Sequence, residues 1–139
     1  MNISILSIKQ LISEEQCYEA VRQLRWSDGV CCPHCDSKNV IKRGWHTKQF
    51  ARHRYECKSC SARFDDLTNT VLSGHHQPLS TWILCLYFMG LNLSNAQIAQ
   101  ELDLNKDDLQ YMTEHLRVGI DKKNRQSYSQ AKLSLTNFI

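Results

Sequence analysis

Two Cys-x-x-Cys knuckles, Cys32-Pro33-His34-Cys35 and Cys57-Lys58-Ser59-Cys60, constrain this 139-residue chain more than any other feature. Two intervening residues let both sulfurs of one knuckle reach the same ion, and a second knuckle completes a tetrahedron. The 21 residues between the knuckles need to hold no more than a hairpin. A redox pair or disulfides are the competing uses of such cysteines, but paired knuckles are far more specific for zinc than a single one. The expectation is one structural Zn2+ held by Cys32, Cys35, Cys57 and Cys60. With four protein ligands, no position stays open for water or substrate. Cys31 abuts the first knuckle and could substitute, but Cys32 gives the two-residue spacing.

A chain of this length holds one domain or two small ones and excludes a large enzyme. Its hydrophobic fraction of 42% gives a modest core, and a metal staple suits such a module. Met1 to Lys9 has no signal-peptide pattern, and the longest apolar run, Trp82 to Gly90, is too short to span a bilayer. The expected setting is therefore cytoplasmic and reducing, where cysteines bind metal more often than they pair. Cys17 and Cys85 then read as small core residues.

The net charge of +3 hides a segmental pattern. Residues 1–28 carry three basic and four acidic side chains, and residues 29–74 carry eight and four. Residues 75–118 carry two basic and five acidic, and residues 119–139 carry four and one. Positive charge thus sits on the metal segment and the tail, and the segment between them is acidic.

The expected fold class is small α+β. A helix lies within residues 1–28, started by Ser13-Glu14-Glu15-Gln16 and lined by Cys17, Ala20, Val21 and Leu24. Residues 29–74 form a three-stranded zinc ribbon from Val40-Ile41, Arg52 to Glu56 and Arg63-Phe64-Asp65, with Trp26, Tyr55 and Phe64 as core. Residues 75–118 form a three-helix bundle. Its first helix has an apolar face of Leu79, Trp82, Ile83, Leu86 and Tyr87. Ser94 and Gln97 box the second helix, and Leu109, Met112 and Leu116 line the third. A short turn at Asp103-Leu104-Asn105 makes the last two helices a helix-turn-helix pattern; a bundle that only packs fits the same periodicity. Residues 119–139 are a basic tail whose Leu133, Leu135, Phe138 and Ile139 offer apolar docking groups.

Lys42, Arg43, Lys48, Arg52, Arg54 and Lys58 surround the ribbon hairpin, interleaved with Trp45, Phe50 and His53. Basic groups neutralise phosphates, and exposed aromatics stack on bases. A solvated hairpin that serves only as scaffold is the other reading. Alternation places Arg52 and Arg54 on one face and turns Tyr55 inward. On the last helix Lys106 and Gln110 are candidates for base edges and Arg117 for a phosphate. Asp107, Asp108, Tyr111 and Glu114 on the same helix make a candidate protein-docking face. His75 and His76 flank a linker and read as surface residues.

Several of these residues form a recognisable combination. Leu24-Arg25-Trp26-x-Asp28-Gly29-Val30, the first knuckle, and Tyr55-x-Cys57-x-x-Cys60-x-x-x-Phe64 stand together. Thr68-x-Thr70, Pro78-Leu79-x-x-Trp82, and Gln97-Ile98-Ala99-x-Glu101-Leu102 through Met112 and Arg117 follow. Over residues 13–118 this resembles the zinc-ribbon and helix-turn-helix region of Merlin-related bacterial insertion-sequence transposases of the DDE type. The resemblance implies a DNA-binding front end in a bacterial cytoplasm, nucleoid-associated when DNA-bound. In that family a catalytic domain of ribonuclease-H type follows, and the present sequence ends where it would begin. Asp65-Asp66 and Asp107-Asp108 are adjacent pairs, not the separated carboxylates of a two-metal site. The expectation is a DNA-binding module without catalysis, without a small-molecule substrate and without membrane contact. The alternative is an adaptor that docks through its acidic bundle on a protein partner or a second copy.

Overall fold

The computed structural model describes residues 12–124, so the apolar groups of the C-terminal tail lie outside the described residues. Four helices and one three-stranded antiparallel sheet occur among them: α1 (Glu14–Arg25), β1 (Val40–Trp45), β2 (His53–Cys57), β3 (Arg63–Asp65), α2 (Leu79–Gly90), α3 (Asn95–Leu102) and α4 (Lys106–Asn124). This is the expected α+β architecture, with β2 central. The register pairs Val40 with Cys57 and Tyr55 with Phe64. The knuckles therefore pin one end of the sheet, and the β1–β2 hairpin tip projects from the other.

Two cores form. The ribbon core joins Cys32, Tyr55, Cys57 and Phe64, with half-buried Trp26 packed edge-on against both rings at 6.0 Å. The larger core takes residues from all four helices, with Ile98, Leu102, Leu109, Met112 and Leu116 essentially inaccessible. Local signals set the helix starts. Ser13 accepts from the Gln16 N–H at 3.1 Å, and Ser94 with Gln97 forms a complete capping box.

Two helix faces differ from the periodic expectation. In α1, Ala20 and Leu24 face solvent, and the inward stripe is Cys17, Tyr18, Val21, Arg22 and Arg25. The helix turns two arginines toward the ribbon because carbonyls and a carboxylate wait there. In α2 the buried set includes Leu84, Cys85, Phe88 and Met89 as well as Leu79, Trp82 and Leu86 of the expected face, whereas Ile83 is half-buried and Tyr87 points outward. That helix is surrounded by the others, so one apolar stripe underdescribes it.

The α1–α2 junction carries a cap supplied by tertiary structure. Pro78, at the start of α2, offers no side-chain cap. Glu14 of α1 accepts instead from the Leu79 and Ser80 N–H groups, at 3.1 and 2.9 Å. A carboxylate there satisfies two orphan donors and complements the helix dipole.

Candidate metal centre and nucleic-acid interface

The two knuckles fold alike. Asp36 N–H donates to the Cys32 carbonyl and Cys32 N–H to the Ser37 carbonyl, both at 2.9 Å. Ser61 N–H likewise donates to Cys57 at 3.0 Å, and Cys57 N–H to Ala62 at 2.8 Å. Each tight loop needs one left-handed residue, and Asp36 (φ 61°) and Ser61 (φ 62°) supply it. The Lys58 N–H to Asn39 carbonyl bond (2.8 Å) and the Ser37–Ser59 hydroxyl pair (2.8 Å) tie the knuckles together.

This geometry brings the sulfurs of Cys32, Cys35, Cys57 and Cys60 within 4.8 Å of one another. Cys32–Cys60 and Cys35–Cys57 are separated by 3.6 and 3.5 Å. A zinc–sulfur bond of about 2.3 Å sets tetrahedral edges of about 3.8 Å, so the cage fits that ion. Donation from the Cys60 backbone N–H, against burial, draws the Cys57 thiol down to about 6, while its neighbours Cys35 and Cys60 are pushed up, so the first thiolate of the set sits on Cys57. Amide donation of this kind favours the thiolate that a metal needs. Cys31 stays outside the cage and bonds the Asp36 carbonyl at 3.1 Å. The four cysteines are the ligand set of one structural Zn2+, as their spacing predicted.

Asp66 holds the ribbon to α1. Its carboxylate is fully buried. Oδ2 accepts from Arg22 Nη1 (2.9 Å) and the His53 N–H (2.8 Å). Oδ1 accepts from Tyr55 Oη (2.7 Å) and Trp26 Nε1 (3.2 Å). Arg25 completes the lock by donating to the carbonyls of Asp66 (2.9 Å) and Thr68. Asp65 is used locally, with Oδ1 accepting from the Leu67 and Thr68 N–H groups. Asp66 is thus withdrawn from the ribbon surface, whereas Asp65 is only half-buried.

The structure separates the basic residues of the hairpin. Arg43, Arg54 and Arg63, with His46, Thr47 and Thr68, line a polar cleft of about 550 Å³ on the outer sheet side. Glu56 pairs with Arg43 and lies 4.0 Å from Arg63, and half-buried Asp65 also lines the cleft, so three guanidinium groups face two carboxylates. Its bond to Arg43 holds Glu56 below the usual carboxylate range. Arg63 was missed by sequence reasoning because it follows the second knuckle; β2–β3 pairing opposite Glu56 brings it in. Arg52 does not join Arg54. It is half-buried, and its Nε donates to Tyr18 Oη at 3.0 Å. The chain has not yet entered β2 there, so alternation does not apply. Lys42, Lys48 and Lys58 are exposed, and Trp45 is 58% exposed at the hairpin tip.

On α4, Lys106, Asp107, Gln110, Tyr111, Glu114 and Arg117 are all exposed. Asp108 is engaged with Asn105, which accepts its N–H at 2.7 Å and donates back at 3.0 Å. Gln110 donates to Glu114 at 3.1 Å. His75 is not a free surface residue. Its ring lies 4.6 Å from Trp82, and its Nε2 lies 3.0 Å from His115 Nε2. Both rings reach the Val71 carbonyl. Burial, then the neighbouring His115, pushes the His75 pKa down. His76 is exposed, as expected.

Residues 12–63 match the transposase zinc-ribbon domain. The chain is also 34% identical over 115 residues to an uncharacterized protein in transposable element ISH50 of Halobacterium salinarum. That alignment covers 82% of the present chain and 36% of the relative, so the chain spans about a third of the relative's length. No solved structure shows significant similarity to it. Among the described residues no helix is long and apolar enough to cross a membrane.

Proposed function

We propose that this chain is a DNA-binding module of transposase type, in which the zinc ribbon makes the main backbone contact. The cleft formed by Arg43, Arg54 and Arg63 carries the reading. Three guanidinium groups against the carboxylates of Glu56 and Asp65 leave net positive charge on a concave polar surface. Planar guanidinium forks match phosphate oxygens, and the Thr47 hydroxyl beside them suits the same ligand. Lys42, Lys48 and Lys58 extend the positive field. Zinc fixes the far end of the sheet and takes no part in chemistry. On this reading α3, the turn at 103–105 and α4 are a helix-turn-helix unit, with Lys106, Gln110 and Arg117 available to DNA. The module itself performs no strand cleavage.

The salt dependence of binding tests this. Replacing Arg54 and Arg63 with Ala should lower the log–log salt slope for a duplex by about 1.8, or 0.9 per lost phosphate contact. An unchanged slope and affinity would make the cleft a scaffold. Magnesium- or manganese-dependent DNA cleavage by the pure chain, lost on changing one of its own acids, would refute the non-catalytic reading.

A second reading has its own support. Tyr111 (55% exposed) and Val118 (52%) leave apolar surface beside Asp107 and Glu114 on α4. An apolar stripe edged by carboxylates suits a basic protein surface better than a phosphate backbone. Asp107→Lys together with Glu114→Gln should then weaken partner or self-association while leaving or strengthening DNA binding.

A further inference from the structure

The tip of the β1–β2 hairpin carries two aromatic side chains that neither core uses. Trp45 is 58% exposed and Phe50 68%. A loose loop does not explain this, because segment 46–52 is pinned from several sides. His46 Nδ1 accepts from the Lys48 and Gln49 N–H groups, both at 3.2 Å. His46 N–H donates to the Arg52 carbonyl at 2.8 Å, and Arg52 N–H to Gln49 at 3.0 Å. Arg22 reaches across from α1 to the Ala51 carbonyl at 2.8 Å, and Ala51 is buried. The loop is closed on itself before Phe50 and anchored to α1 after it, through Ala51 and Arg52.

The strand is also adjusted to place Trp45. Lys42 pairs with Tyr55, but Trp45 pairs with His53, so the strand carries one extra residue between them. Gly44 accommodates it at φ +79°. Continued register would have set Trp45 opposite Arg52. The bulge instead turns it to the His53 side, and such bulges re-aim side chains. The surroundings define the ligand. Residues 37–55 contain six Lys or Arg and no Asp or Glu. Exposed aromatics among cations match a polyanion that also presents flat apolar faces, which describes bases free of a partner strand.

We propose that Trp45 and Phe50 stack on unpaired DNA bases, so that the hairpin tip recognises melted or distorted DNA in preference to perfect duplex. This rests on the ribbon contacting DNA, and adds the structural state of the DNA that it selects. The arginine cleft holds the phosphates, and the tip, where the two sheet faces meet, receives bases that have left the stack. Holding the loop in place beforehand removes ordering cost at the moment of binding.

The test uses the zinc-loaded full chain and fluorescent DNA of three kinds: a perfect duplex, the same duplex with a central mismatch bubble, and an oligothymidylate strand. The bubble and the single strand should bind at least about tenfold tighter than the duplex, since each base–aromatic stack contributes roughly 5- to 160-fold. Their binding should quench tryptophan emission, which reports on Trp45 because Trp82 is buried and Trp26 is packed under Arg25. Trp45→Ala with Phe50→Ala should reduce bubble affinity to that of the duplex and leave the duplex salt slope unchanged. Trp45→Phe should retain the preference. Equal affinity for bubble and duplex without quenching would overturn this inference while leaving salt-dependent duplex binding intact. Failure to bind any of the three would overturn the DNA reading as well. Tighter binding to a uridine RNA strand than to oligothymidylate would overturn DNA as the ligand.

Discussion

Asp66→Asn is the substitution whose consequence follows most directly from the contacts. The carboxylate is inaccessible to solvent and accepts from Arg22, His53 N–H, Tyr55 and Trp26. An asparagine has one acceptor oxygen and one donor amide. Its better orientation keeps the oxygen toward Arg22 and His53 and turns the amide toward Tyr55, whose hydroxyl can accept. Trp26 Nε1 is then left facing a donor. Hydrogen bonds to charged groups contribute about 1.5–3 kcal/mol and neutral ones about 1, and an orphaned buried donor costs about 1–3. Losing the charge at two bonds and orphaning one indole sums to roughly 2–7 kcal/mol, toward the lower end because Arg22 keeps the Ala51 carbonyl and Glu19. That is a large fraction of a stability of about 5–15 kcal/mol, yet the protein should still fold. Asp66→Ala leaves the His53 N–H, the Tyr55 hydroxyl and Trp26 Nε1 without this acceptor, at about 1–3 kcal/mol for each orphaned donor, while Arg22 keeps only the Ala51 carbonyl and Glu19, so it should cost more than Asp66→Asn. Urea unfolding in zinc-containing buffer would measure the effect by tryptophan fluorescence and by circular dichroism, whose coincidence checks two-state behaviour. Tyr55→Phe should cost less in the Asp66→Asn background than in the native one, because one of its partners has already weakened. An Asp66→Asn stability within about 0.5 kcal/mol of native would mean that the carboxylate is not the lock described, since changes that small are typical of featureless surface sites.

Three further outcomes are expected. Metal analysis of protein purified without chelator should give one zinc per chain, and Cys57→Ser or chelation should unfold the ribbon, because thiolate–zinc binding is coupled to folding; retention of near-ultraviolet signals after complete zinc removal would contradict this. Glu14→Ala should destabilise by about 1–3 kcal/mol and Glu14→Gln by less, since two N–H groups at the start of α2 lose a charged acceptor; equal midpoints for all three proteins would show the cap to be unimportant. Stability should fall as the pH drops below about 6.5, because His75 has a folded pKa below its unfolded one and the unfolded chain takes up that proton first. His115→Asn removes the neighbouring charge, so it should flatten that part of the profile relative to native protein measured at the same zinc concentration.

The zinc ligands were legible in the sequence because chelation by one knuckle is a local event. The distance between two sulfurs depends on two intervening residues, and the backbone turns that serve it are built from the same few positions. The helix start at Ser94 and the inner face of α4 were legible for the same reason, since capping and 3.6-residue periodicity are properties of neighbouring residues. The sequence also marked Trp45 and the hairpin cations as a group. It could not reveal which way α1 faces, why Asp66 is buried, or that Glu14 caps another helix. Arg22 and Asp66 are separated by 44 positions, and Glu14 and Leu79 by 65. A charged side chain reads as a surface residue until its partner is known, because burying a charge is costly unless that partner is in place. Splitting Arg52 from Arg54 and joining Arg54 to Arg63 likewise depended on where β2 begins and what β3 pairs with. Those points are fixed by contacts between distant segments, and only the assembled tertiary structure contains them.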